Sequence, residues 1–132
     1  MGRDLYYLGA SAILTIVMLL VAAGLRTRAW TNAGSAMAFG NRDDLPPPTP
    51  LSGRAQRAAA NMLEGMLLFV ALVLAAQIAG VLGSRVALGA ALFFWARLVY
   101  FPVYLAGIAY LRTAVWAVSI IGLAIIFSAL IA

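Results

Sequence analysis

Four long apolar runs, Leu5 to Leu25, Ala58 to Leu82, Val86 to Ala109 and Thr113 to Ala132, set the pattern of the chain. About twenty apolar residues in a helix cross a hydrocarbon core near 30 Å, so each run is long enough to span a membrane. No run alternates with the period of two that a strand would need. The pattern predicts an all-α integral membrane protein, a four-transmembrane-helix bundle in a single domain over residues 1–132, with no soluble catalytic domain at either end. The first run is too long for the apolar core of a signal peptide, and Arg26-Thr27-Arg28 follows it where a small-residue cleavage site is expected, so it reads as a retained span.

The one extended polar stretch, residues 26–57, contains Asp43-Asp44 and Pro46-Pro47-Pro48-Thr49-Pro50. Such a proline run favours extended chain, so the stretch is expected to be a surface loop. It serves either as a connector or as a lid over a neighbouring cavity. By contrast, Gly83-Ser84 leaves so little chain between the second and third runs that those helices must be antiparallel neighbours.

Polar residues inside the runs are not scattered. At 3.6 residues per turn, Arg57, Asn61 and Glu64 fall within an arc of about 60°, and so do Arg97, Tyr100 and Tyr104. Each of the two middle helices therefore carries one polar stripe, and the stripes can face each other. Pro102 inside the third run removes a backbone hydrogen bond and is expected to kink it. Arg97 lies about 18 Å from either end of its run at 1.5 Å per residue, too deep to reach water, and Glu64 is the one acid inside any run. An ion pair between them is expected. The last run has no ionisable residue and reads as a packing helix.

Composition agrees with the pattern. Hydrophobic residues are 65% of the 132, against roughly 45–50% in soluble domains, which leaves no means of building a water-soluble surface. Charge adds orientation. All 9 basic residues are arginine, and the net charge is +5. Arg26, Arg28, Arg42, Arg54, Arg57 and Arg112 fall on the side of the long loop, with Arg3 and Arg85 opposite. The positive-inside rule puts the loop in the cytoplasm and both termini outside; a bacterial inner membrane is the expected setting. The absence of cysteine and histidine excludes disulfides, thiolate metal sites and a protein thiol nucleophile, so no metal is expected. Acid, base or thiol chemistry must come from Arg, Tyr, Glu, Asp or a bound reactive group.

Arg54, Arg57, Asn61, Tyr100, Tyr104 and Arg112 all belong to the cytoplasmic halves of the middle runs or to their ends. One carboxylate cannot neutralise so many guanidinium groups, and the surplus calls for an anionic ligand, which arginine binds through its planar fork. Three classes of function fit this arrangement: an enzyme on lipophilic substrates, a lipid-binding scaffold, and a small multidrug transporter. A buried arginine opposing the acid disfavours the transporter.

The motif Arg54-x-x-Arg57-Ala58-x-x-Asn61-x-x-Glu64, followed by Ala96-Arg97-x-x-Tyr100-x-x-x-Tyr104, resembles the MAPEG family, the membrane-associated proteins in eicosanoid and glutathione metabolism. The resemblance covers nearly the whole chain. It implies a homotrimer that binds glutathione between adjacent subunits near the cytoplasmic side and acts as a transferase or peroxidase on a lipophilic electrophile. It further implies that Arg54, Arg57, Asn61, Glu64, Arg97, Tyr100 and Tyr104 hold the glutathione, that Arg112 activates its thiol, and that Arg28 polarises the second substrate. Ala60 and Tyr100 depart from the family's prostaglandin-forming pattern, and the step from Tyr104 to Arg112 differs by one residue from the family synthases. These departures argue against prostaglandin isomerase activity and leave the electrophile open.

Overall fold

The computed structural model describes all of residues 1–132 and contains five helices and no strand. They are α1 (Arg3–Thr27), α2 (Asn32–Phe39), α3 (Pro50–Ile78), α4 (Ser84–Ala106) and α5 (Ala109–Ile131). All but α2 are long and apolar enough to cross a membrane. The packing is that of an integral membrane protein. Small or polar side chains such as Ser11, Thr15, Ser119 and Arg97 are buried, while Leu20, Leu67 and Ile78 point outward.

The polar stretch is more structured than its composition suggests. Thr31 caps α2 by accepting a hydrogen bond from the Gly34 amide at 2.9 Å. α3 starts well before the apolar run does. Thr49 Oγ1 accepts from the Ser52 amide at 3.1 Å while Ser52 Oγ accepts from the Thr49 amide at 2.9 Å, a reciprocal cap with Pro50 in the first turn. Its 29 residues make a rod of about 43 Å, longer than a hydrocarbon core, so two turns carrying Arg54 and Arg57 project beyond it.

Helices α4 and α5 are joined by a two-residue turn in which Gly107 takes φ 77, a left-handed conformation that closes α4. They cross at Gly89 and Gly122. A Cβ on Gly122 would lie 2.6 Å from the Gly89 carbonyl oxygen, and one on Gly89 2.5 Å from that of Gly122. Close backbone approach through small residues is how helices associate where water supplies no driving force. α4 runs through Pro102, whose ring is exposed, without a break. Between α3 and α4 the core is led by Phe69 stacked on Phe93, with ring centroids 4.2 Å apart.

Candidate functional site

Arg97 anchors the polar centre of the bundle and is almost wholly buried, 1% exposed. Its Nη1 donates to Asn61 Oδ1 at 2.5 Å, and its guanidinium lies 5.4 Å from the Phe93 ring centroid and 5.2 Å from that of Tyr100. Gly65 makes room for it, since a Cβ there would stand 2.6 Å from Arg97 Nη2. The expected ion pair with Glu64 gives way to this arrangement for a geometric reason. Asn61 and Gly65 are one turn apart on the same face of α3, whereas Glu64 is rotated by about 100° from Gly65. Glu64 is exposed and turns to the adjoining cavity. Arg97 Nε, buried, has no hydrogen-bond partner.

Above Arg97, toward the loop side, α3, α4 and α5 line an open cavity of about 430 Å³. Its lining comprises Arg57, Ala60, Asn61 and Glu64 from α3, Tyr100 and Tyr104 from α4, and Arg112, Thr113 and Trp116 from α5. Tyr104 is the hinge of the charge distribution. Its hydroxyl accepts from Arg57 Nε at 3.2 Å, and its ring carries the Arg112 guanidinium 4.8 Å above the centroid. Tyr100 braces it edge to face, at 5.4 Å between centroids and 80° between planes. Two guanidinium groups thus converge on one ring, with a single carboxylate, Glu64, on the same wall.

The residues singled out in the sequence divide accordingly. Arg57, Asn61, Glu64, Tyr100, Tyr104 and Arg112 come together around the cavity. Arg97 lies behind it and donates a hydrogen bond to Asn61. Arg54 is turned away: its Nε donates to the Leu105 carbonyl at 3.0 Å, beside Gly107, where the last carbonyls of α4 lack partners in their own helix. Arg28 is placed elsewhere in this chain. It ends α1 with φ 54, is exposed, and lies outside the cavity lining, because its backbone is spent on the turn into α2.

α5 does more than pack. It begins at Ala109, three residues ahead of Arg112, so Arg112 sits inside a helix rather than in a turn. Thr113 and Trp116 then follow it onto the cavity wall. The spacing of 112, 113 and 116 on one helical face was the available signal for both. Ala60, also on the wall, is three residues from Arg57 and four from Glu64, so helical spacing was its signal too.

A family model described as MAPEG family matches residues 5–132, essentially the whole chain. Neither the curated proteins nor the solved structures yield a match.

Proposed function

The chain belongs to the MAPEG family, a family of membrane proteins of glutathione-related and lipid metabolism, and we propose that it is a glutathione-dependent transferase or peroxidase acting on a lipophilic electrophile. One observation carries this reading. The cavity offers two guanidinium groups and one carboxylate, and glutathione at neutral pH offers two carboxylates and one ammonium group. Ligand and wall are complementary in both sign and number, and about 430 Å³ falls within the range of small-molecule pockets.

Arg57, at the outer end of α3, is suited to a ligand carboxylate by a bidentate contact. Glu64 is suited to the ammonium group, and Asn61, held by Arg97, keeps its amide group free for a peptide amide. Tyr104 steadies both guanidinium groups. Arg112 takes the role of favouring the thiolate. The bound thiol would supply the nucleophile that this chain lacks. With an unperturbed pKa near 8.5, a thiol is mostly protonated at neutral pH, and a neighbouring guanidinium raises the ionised fraction. In the transferase reaction the sulfur forms a bond to carbon as the leaving group departs with the bonding pair, and the thiol proton goes to solvent.

Trp116 and the lipid-facing surfaces of α1 and α5 are apolar, which suits an electrophile arriving from the bilayer. A homotrimer is part of the same reading, with a neighbouring copy as the route by which Arg28 joins a cavity. The test is glutathione titration by calorimetry in detergent, paired with turnover of a chlorinated nitroarene and of a lipid hydroperoxide. Micromolar to millimolar binding that Arg57→Ala weakens, together with turnover of either substrate, is the expected result. Absence of both binding and turnover would overturn it.

A further inference from the structure

Every side-chain hydrogen bond between α3 and the α4–α5 pair involves α4: Arg97 with Asn61, Arg57 with Tyr104, and Arg54 with the Leu105 carbonyl. None joins α3 to α5 directly. Yet Arg112, the residue assigned above to the thiol, stands on α5. Its place opposite Arg57 and Glu64 is therefore set through the end of α4 and the two-residue turn that follows.

Arg54 holds that turn at two points. At the end of α4 the Val103 and Tyr104 carbonyls accept from the Ile108 and Gly107 amides, at 3.4 and 3.0 Å, whereas the Leu105 carbonyl accepts from Arg54 Nε at 3.0 Å. A cation against a helix C-terminus is favoured by the helix dipole. The guanidinium also covers Gly107, the left-handed residue of the turn at φ 77, since a Cβ there would stand 3.6 Å from both Cζ and Nε and 3.7 Å from Nη1. Such even distances mean that the planar group lies face-on to the turn. One helical turn on, the Arg112 amide donates to the Ile108 carbonyl at 3.0 Å, and the Arg112 guanidinium comes back over the ring of Tyr104, the neighbour of Leu105. Anchor, turn and cavity cation form one continuous segment, residues 104–112.

The close crossing of α4 and α5 is remote from this segment. Gly122 is ten residues beyond Arg112, about 15 Å along α5. Toward the loop side the pair is tied to α3 by Arg54 and Arg57 instead. Arg57 lines the cavity, so a ligand carboxylate competes for it, whereas Arg54 does not line the cavity and is free to keep its bond when the site fills. Resting on the thiol chemistry proposed above, we infer that Arg54 is a positioning residue, which fixes the α4–α5 turn so that the Arg112 guanidinium stays at the thiol, and which does not itself contact the ligand. A misplacement of about 1 Å can cost up to about a hundredfold in rate.

Hydrogen exchange, glutathione calorimetry and turnover of a chlorinated nitroarene, all on the full chain in detergent, test this role. In Arg54→Ala the amides of Gly107, Ile108 and Arg112, each hydrogen-bonded in the wild type, should exchange at least about tenfold faster without any ligand, and those of Gly89 and Ala90 should not change. The value of kcat should fall about tenfold to thirtyfold while glutathione affinity changes by less than about threefold. The loss should shrink as pH rises. A thiolate less favoured by Arg112 forms only nearer the unperturbed thiol pKa of about 8.5, so the acidic limb of the kcat profile moves to higher pH. A cap that served stability alone would lower the melting temperature and leave that limb in place. Arg54→Lys, whose ammonium group still reaches a C-terminal carbonyl, should recover at least about a third of kcat. Arg85→Gln, which removes an arginine to carbonyl contact at the opposite end of the bundle, should alter none of these readouts. Should Arg54→Ala fail to fold, Arg54→Met keeps the alkyl stem, removes the donors and carries the same expectations. Weakened glutathione affinity with kcat unchanged would make Arg54 a ligand contact and overturn the proposal, as would an unmoved pH limb. A wild type that neither binds glutathione nor turns over substrate sinks the thiol reading and this role with it, whereas unchanged exchange at the turn in a protein that does turn over sinks the anchor alone.

Discussion

At the scale of single residues, Arg112 and Arg97 illustrate two different uses of a guanidinium. Arg112 lines the cavity with its charge free of any carboxylate, resting on the Tyr104 ring. If it stabilises a thiolate, its loss should fall on the chemical step. Arg112→Ala is expected to reduce kcat by about a hundredfold, in the range seen when one preorganised electrostatic donor is removed, while glutathione affinity changes by less than about tenfold. Steady-state kinetics beside calorimetry separates the two effects, and an equal loss in both would assign Arg112 to binding alone. Arg97, by contrast, is a positioning residue, boxed by Phe93, Tyr100 and Gly65. Gly65→Ala puts a methyl group 2.6 Å from Nη2, so the guanidinium, the end of a flexible side chain, must shift away from its contacts with Asn61 and the Phe93 and Tyr100 rings. A destabilisation of about 1–3 kcal/mol is expected, measured by thermal unfolding in detergent. Helical spacing revealed that Arg97 is inward and needs a partner. It did not reveal which partner, because Asn61 and Glu64 share a stripe and the choice depends on the notch at Gly65.

At the scale of elements, hydropathy made the lipid-embedded lengths of the helices visible and hid what lies beyond them. The N-terminal turns of α3 are the clearest case. They are polar and follow a proline run, yet the Thr49–Ser52 cap starts the helix there and places Arg54 and Arg57 in register with Asn61. α2 was likewise hidden, for it has eight residues and ends within the same polar stretch. α5 was misread for another reason. Its cavity residues are one arginine at the edge of the run and two residues, Thr113 and Trp116, that look ordinary in a membrane helix. The wall that α5 contributes depends on its packing against α4 at Gly89 and Gly122. Gly122→Leu cannot be accommodated without separating the two helices, since even a Cβ would stand 2.6 Å from the Gly89 oxygen and 2.9 Å from the Phe93 amide nitrogen. The expected outcome is at least about 2 kcal/mol of destabilisation and a loss of glutathione affinity, although the substitution touches no cavity residue. Unchanged affinity in a folded Gly122→Leu protein would show that the cavity does not rely on this crossing.

At the scale of the whole molecule, the arrangement of charge predicts an orientation in the membrane. The ends of α1 and α4 and the starts of α3 and α5 meet on one side, as the Arg54–Leu105 and Arg57–Tyr104 hydrogen bonds require. On the other side Gln77 donates to Asp4, and Arg85 reaches the Ser128 carbonyl at 3.4 Å. Arg26, Arg28, Arg42, Arg54, Arg57 and Arg112 crowd the first side, against Arg3 and Arg85 on the second. Positively charged flanks are retained in the cytoplasm during insertion, and acidic residues weigh little in that choice, so Asp43 and Asp44 do not reverse it. In that orientation the cavity would open toward the compartment where reduced thiols are maintained, which the proposed thiol-dependent reaction requires. The chain has no cysteine, so a single introduced thiol reports its location without background. Asp44→Cys, exposed in the loop, is expected to react with a membrane-impermeant maleimide only after permeabilisation of bacterial spheroplasts. Ser84→Cys, exposed at the start of α4, should react in intact spheroplasts. The reverse pattern would place the arginine-rich face outside, and the cavity would then need a source of thiol from beyond the cell.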